Sequence, residues 1–387
     1  MKITHGILLC LVGAFGHVKA EPVVNTTTGA VRGRVVLPPP GLPATVPGAQ
    51  FGTVSQFLGV PYAEAPTGAL RFAKPVPKIP WSGVRDAQVY GAGCPQDANG
   101  ITEDCLFLNI FIPDSAVNTS DHVPVMVWIH GGSFVRGQGS LYDATILSLL
   151  GEVVVVTINY RLGILGFLST ADDRMPGNYG LWDQKLALHW VKDNIGSFGG
   201  DPDQITIFGE SAGSFSVTYQ MLTPLNNFNL FRRAIASSGV AAAGLLLTYD
   251  GEQLRKQTSQ IAAALGCHNT STLLVCLREA PVSSILPLTS LLEYPIAIDG
   301  EFISDRIDEL ISSRHFAKYN FLAGTSSNEG SVVIPTFASL TDVGKLMYTT
   351  KARYTYPPEN ARILFDLIGD SYFNAPTIGV AHVQHML

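Results

Sequence analysis

The sequence has little charge, 14% Asp, Glu, Lys and Arg with a net charge of −6, and it nowhere gathers basic residues into a run or stripe. That argues against a nucleic-acid partner, which would need a cationic footprint. No stretch reaches ~18 uninterrupted apolar residues, the length of a membrane-spanning helix; VVVVTI at 153–158 is of strand length. Cysteine is scarce, five in 387 residues, and no pair has C-x-x-C spacing with histidines in register, which argues against a zinc site. Internal repeats and low-complexity linkers are absent, so residues 21–387 are read as one domain. With 46% apolar residues, the chain can bury a large core.

What is present begins at the N-terminus. Lys2 precedes the apolar run ILLCLVGAFG, then HVKA and a polar EPVV. A charged start, a short apolar run and a small residue describe a secretory signal peptide, residues 1–20, cleaved after Ala20. Cys10 leaves with it. Cys94, Cys105, Cys267 and Cys276 remain, and an even count in a secreted chain favours disulfides. Three connectivities are open; local pairing is topologically the cheapest. Sequons at Asn25, Asn118 and Asn269 agree with secretion and glycosylation.

Along the chain, strand-like runs alternate with helix-like ones. VPVMVWIH (123–130), EVVVVTINYR (152–161), DQITIFG (203–209), FRRAIASSG (231–239) and the start of KYNFLAGTSSNEG (318–330) read as strands. Residues 183–200 and 211–223 read as helices. This alternation predicts an α/β fold, a mostly parallel sheet with helices on both faces. The Pro-rich segment 21–120 reads as antiparallel decoration on one sheet edge.

IFGESAGSF (207–215) places Ser211 between Gly209 and Gly213, with a strand before and a helix after. A sharp strand-to-helix turn of this kind lifts a serine hydroxyl above the sheet at a helix N-terminus, as a nucleophile requires. Acyl transfer also needs donors for an oxyanion. HGGSF (130–134) supplies the Gly132 and Ser133 N–H groups, and Ala212 supplies a third. His130, which precedes those donors, is assigned to structure. Glu329, on the loop GTSSNEG, follows Ser211 by 118 residues and is the candidate acid that orients a histidine. Glu210 is expected to be buried at the turn in a supporting role.

These motifs, with FLGVPYAEAPTGALRF (57–72), EDCLFLNIFIP (103–113), INYRLGILGFLS (158–169) and PGNYGLWDQ (176–184), resemble the type-B carboxylesterase/cholinesterase family of α/β-hydrolases. PGNYGL and YPIAIDGEFI (294–303) are most similar to bile-salt-activated lipase and general carboxylesterases. The resemblance implies Ser211 as nucleophile, Glu329 as triad acid, and Gly132, Ser133 and Ala212 as the oxyanion hole. It implies the disulfides Cys94–Cys105 and Cys267–Cys276, and buried ion pairs Arg71–Glu103 and Arg161–Asp183. It implies small-molecule or lipid ester substrates and no metal or cofactor.

Two departures matter. The loop CPQDANGITEDC is short and has no aromatic, where cholinesterases carry a tryptophan facing the choline cation; uncharged esters fit better. The family's triad histidine lies beyond segments like DSYFNAPTIGVAHVQH (370–385), so it is expected past Leu387, with the last strand and the closing helix. His122, His130 and His189 precede the serine, His268 lies in the second cysteine loop and His315 in a polar segment. His382 and His385 follow the acid but match a family helix. The expectation is a secreted serine esterase, truncated and inactive if its base is lost. A secreted binding or adhesion module without catalysis is the alternative.

Overall fold

The computed structural model describes residues 21–38, 52–117, 121–225, 230–243, 247–248, 251–293, 295–313, 319–327 and 329. Eight strands form the central sheet: β1 (Arg34–Val36), β2 (Val54–Pro61), β3 (Phe107–Pro113), β4 (Val123–Ile129), β5 (Val154–Ile158), β6 (Gly200–Glu210), β7 (Arg233–Ser237) and β8 (Asn320–Gly324). Their spatial order is β8-β7-β6-β4-β5-β3-β2-β1. The five strands from β8 to β5 run parallel; β3, β2 and β1 join antiparallel. This is the α/β-hydrolase arrangement that the sequence predicts.

The central strands are apolar for a reason. β5 is VVVTI, buried at every position, as a parallel strand covered on both faces must be. β4 alternates instead, with Val125, Val127 and Ile129 inward. Helix α1 (Thr145–Gly151) packs on β2, β3 and β5, and α3 (Ala212–Leu222) on β4, β6 and β7. Helix α2 (Tyr179–Asn194) lies against α3 and β6.

Three readings need correction. The helix expected at 183–200 starts four residues earlier, because Asn178 takes a left-handed conformation and caps it with Gly177 before it; it gives way at Ile195 to a 3-10 turn that ends on left-handed Gly199. Only part of segment 21–120 decorates the edge of the central sheet. Val23–Thr26, Gly29–Arg32 and Val84–Asp86 form a separate three-stranded sheet. Glu210 is exposed rather than buried.

Both disulfides form, Cys94–Cys105 and Cys267–Cys276, with Cα–Cα distances of 4.9 and 5.7 Å. Both ion pairs are present; Arg161–Asp183 is buried and Arg71–Glu103 is little exposed. Arg161 Nε and Nη2 meet Asp183 at 2.8 and 2.7 Å, and Arg71 Nε and Nη2 meet Glu103 at 2.8 and 2.6 Å. No single described helix is long and apolar enough to cross a membrane.

Candidate active site

The site forms where strand order reverses. β4 continues through α1 to β5 on one side, while β6 lies on the other. In open α/β sheets the crevice beyond the carboxyl ends of such strands is where ligands bind. Ile129 of β4 pairs with Gly209 of β6, and Glu210 pairs with Ser237, which pairs with Gly324 of β8. The three loops that carry the candidate residues therefore leave the sheet at one level.

Ser211 sits at the turn between β6 and α3 with φ 54° and ψ −125°, a conformation that costs any L residue. Its N–H bonds the Ser237 carbonyl at 3.0 Å, and the Phe215 N–H bonds its carbonyl at 2.9 Å. Glycines flank it because backbone crowds from both sides. A Cβ on Gly213 would strike the Ile129 carbonyl oxygen, and one on Gly209 would come within 2.5 Å of the Gly213 carbonyl carbon.

The loop after β4 closes over this turn. A Cβ on Gly131 would lie 2.7 Å from the Glu210 carbonyl oxygen and 3.1 Å from Ser211 Cβ, so only glycine lets the two loops touch. Gly132, Ser133 and Phe134 follow with φ of 111°, 56° and 61°. The Val135 and Arg136 N–H groups turn back to the Gly132 carbonyl. Among the described residues, no backbone hydrogen bond uses the N–H of Gly132, Ser133 or Ala212. Ala212 is the first residue of α3, where an N–H has no partner within the helix.

His130 is fully buried and stacks on Tyr160, 4.3 Å between ring centroids. Its Nδ1 lies 2.8 Å from the Gly131 carbonyl, a fit for the tautomer that donates there, and among the described residues Nε2 has no partner. Burial lowers its pKa to about 4, opposed only by that bond, so the ring is neutral at pH 7. It braces the loop and is not in contact with Ser211 Oγ through any hydrogen bond. His122, His189 and His268 make none to Ser211 either; His315, His382 and His385 lie outside the described residues.

Glu329 is half-buried on the loop after β8, and its Oε1 accepts the Ser326 N–H at 2.6 Å. It is close enough to Glu210 for its charge to act there: the Glu210 pKa is raised, first by desolvation and then by Glu329. The structure thus brings Ser211, Glu210, Gly132, Ser133, Ala212 and the Glu329 loop to one end of the sheet. Asn25 and Asn269 are exposed and lie far from these loops in sequence; Asn118 is outside the described residues. The contribution of Gly131 was not singled out from sequence, although the doubled glycine after a strand was its signal.

Comparison with known proteins agrees with this architecture. Rat "Pyrethroid hydrolase Ces2e" is 35% identical over 99% of this chain and 73% of its own length. Human "Cocaine esterase" is 39% identical over 98% of this chain and 74% of its own. Rat "Carboxylesterase 1D" is 39% identical over 85% of this chain, which spans 62% of that relative. Residues 20–345 match the profile of the carboxylesterase family. The chain therefore belongs to the carboxylesterase family, whose members are carboxylic ester hydrolases.

Proposed function

We propose that this chain is a secreted serine hydrolase of uncharged carboxylic esters, working through an acyl-enzyme. The observation that carries the reading is Ser211, held at a strained turn against Gly131, with the Gly132, Ser133 and Ala212 N–H groups beside it making no backbone hydrogen bond among the described residues. Ser211 Oγ would attack the ester carbonyl, and those three N–H groups would take the charge that develops on its oxygen. Glu329 would orient the histidine that accepts the proton, and water would release the acyl group.

Several features support the finer points. The loop between Cys94 and Cys105 has ten residues and no aromatic to face a cation, which favours an uncharged alcohol. The N-terminal signal pattern, two disulfides and the exposed sequon asparagines Asn25 and Asn269 favour secretion and glycosylation. The relatives' names, cocaine esterase and pyrethroid hydrolase, support small organic esters as the proposed substrates.

One observation favours a second reading, a binding module without catalysis: among the described residues no imidazole bonds Ser211. The test is a fluorophosphonate probe followed by peptide mass spectrometry, with hydrolysis of 4-nitrophenyl butyrate in parallel. Labelling of Ser211, and a loss of at least ~10³-fold in kcat for Ser211→Ala, are expected of a hydrolase. A folded chain that neither labels nor hydrolyses takes the binding reading.

A further inference from the structure

The loop that carries the oxyanion donors runs on through Gly137, Gln138 and Gly139, and two amide side chains grip it there. Gln96 accepts the Gly137 N–H at Oε1 (2.8 Å) and donates from Nε2 to the Gly137 carbonyl (2.9 Å). Asn159, the first residue after β5, accepts the Gly139 N–H at Oδ1 (2.7 Å). Both amides then turn to the same disulfide. Gln96 Nε2 donates to the Cys94 carbonyl at 3.1 Å, and Asn159 Nδ2 to the Cys105 carbonyl at 3.0 Å and the Ala92 carbonyl at 3.0 Å. Gln96 and Asn159 are both buried.

The geometry has a direction. Gly137 has φ 113°, and a Cβ on it would collide with the His130 ring, which itself bonds Gly131. The loop from 130 to 139 is thus fixed at its start by His130 and at its end by Gln96 and Asn159. The two amides are in turn registered by the backbone at either end of the Cys94–Cys105 bridge.

We propose that Gln96 and Asn159 are positioning residues for the oxyanion loop, and that the Cys94–Cys105 bond acts on the reaction through them. Neither touches the reacting atoms. Removing the Gln96 amide leaves the half-buried Gly137 N–H and carbonyl without these partners, so the loop moves to re-pair them. A shift of about 1 Å in donors aimed at an oxyanion costs on the order of 100-fold in rate. Substrate binding elsewhere is left alone. The kinetic part rests on the hydrolase reading; the structural part does not.

The test uses the full chain, with Gln96→Met to keep volume and remove all three side-chain hydrogen bonds, and the double variant Cys94→Ser/Cys105→Ser. Hydrogen exchange is followed by mass spectrometry, and hydrolysis of 4-nitrophenyl butyrate is measured alongside. Peptides covering 130–141 are expected to exchange about 10-fold faster in both variants, with α3 unchanged. The kcat is expected to fall about 10- to 100-fold with KM within about 2-fold. Unchanged exchange at 130–141, uniform acceleration over the whole chain, or a KM effect without a kcat effect would overturn the proposal. If Gln96→Met does not fold, Gln96→Glu, which keeps an acceptor for the Gly137 N–H, is read by the same criteria. If the wild type does not turn over, the hydrolase reading fails and the exchange arm alone decides the clamp.

Discussion

His130 shows how one buried side chain ties stability to pH. Its folded pKa is depressed to about 4 by burial, against an ordinary 6.5. Between these values the unfolded chain binds a proton that the folded chain refuses, so the unfolded state gains as pH falls. The contribution is intact above pH 6.5 and is lost progressively towards pH 4, about 3 kcal/mol in all. Urea unfolding of wild type and His130→Phe across that range measures it. The phenyl ring can keep the stack on Tyr160 without titrating, so the difference between the two proteins should shrink or reverse as pH falls. A constant difference between pH 7 and 4.5 would show that His130 takes up its proton alike in the folded and unfolded chains, so that burial does not depress its pKa. Glu210 carries the opposite sign. Its raised pKa means the folded chain holds its proton longer, so it stabilises less as pH rises through the carboxylate range.

At the scale of elements, the strand–turn–helix at Ser211 is what the sequence states most plainly. Its glycines are spaced for it, and the backbone contacts explain why. Gly213 is the sharper case: a Cβ there meets the Ile129 carbonyl oxygen of β4, which cannot rotate away as a side chain could. Gly213→Ala must push α3 off the sheet, at a cost of about 1–3 kcal/mol or more. Its urea midpoint should drop accordingly, and Ser211 should lose reactivity with a fluorophosphonate; an unchanged midpoint would show that the two elements are not held in contact. The legible parts of the site share this character. Ser211, Gly132, Ser133 and Glu329 lie in short contiguous motifs whose backbone conformation dictates residue type. Gln96 and Asn159 were not legible, because nothing in CPQ or NYR says which backbone an amide will meet; that depends on how a disulfide loop and a segment some forty residues later pack together. Nor did the sequence show that Asn178, by adopting φ 57°, would start α2 at Tyr179, since apolar spacing marks the middle of a helix better than its ends.

For the whole molecule, the sheet was readable because β4 and β5 are apolar runs of strand length and β6 carries a short one, ITIF, before the serine turn, whereas its ties across long stretches of chain were readable only through resemblance. Arg71 is such a tie. Its Nε and Nη2 hold Glu103, while Nη1 bonds the carbonyls of Leu277 (3.2 Å), Arg278 (2.8 Å) and Ala280 (2.6 Å). Those carbonyls close helix α4 (Leu273–Glu279), which carries Cys276 of the second disulfide. Arg278 Nε returns a bond to the Arg71 carbonyl at 2.9 Å. One guanidinium thus satisfies a helix end and a carboxylate that lie far apart in sequence and are little exposed, at 9% and 14% for the Arg71 and Glu103 side chains. Arg71→Ala leaves Glu103 charged without a partner and the helix end without donors. Breaking one side of a buried pair costs about 3–5 kcal/mol. Arg71→Ala with Glu103→Gln should recover part of that loss, because the stranded charge is gone, while the open carbonyls of α4 remain. Urea denaturation of the two variants separates these contributions. A double variant no more stable than Arg71→Ala would place the whole cost at the helix end, and a full recovery would place it at the carboxylate.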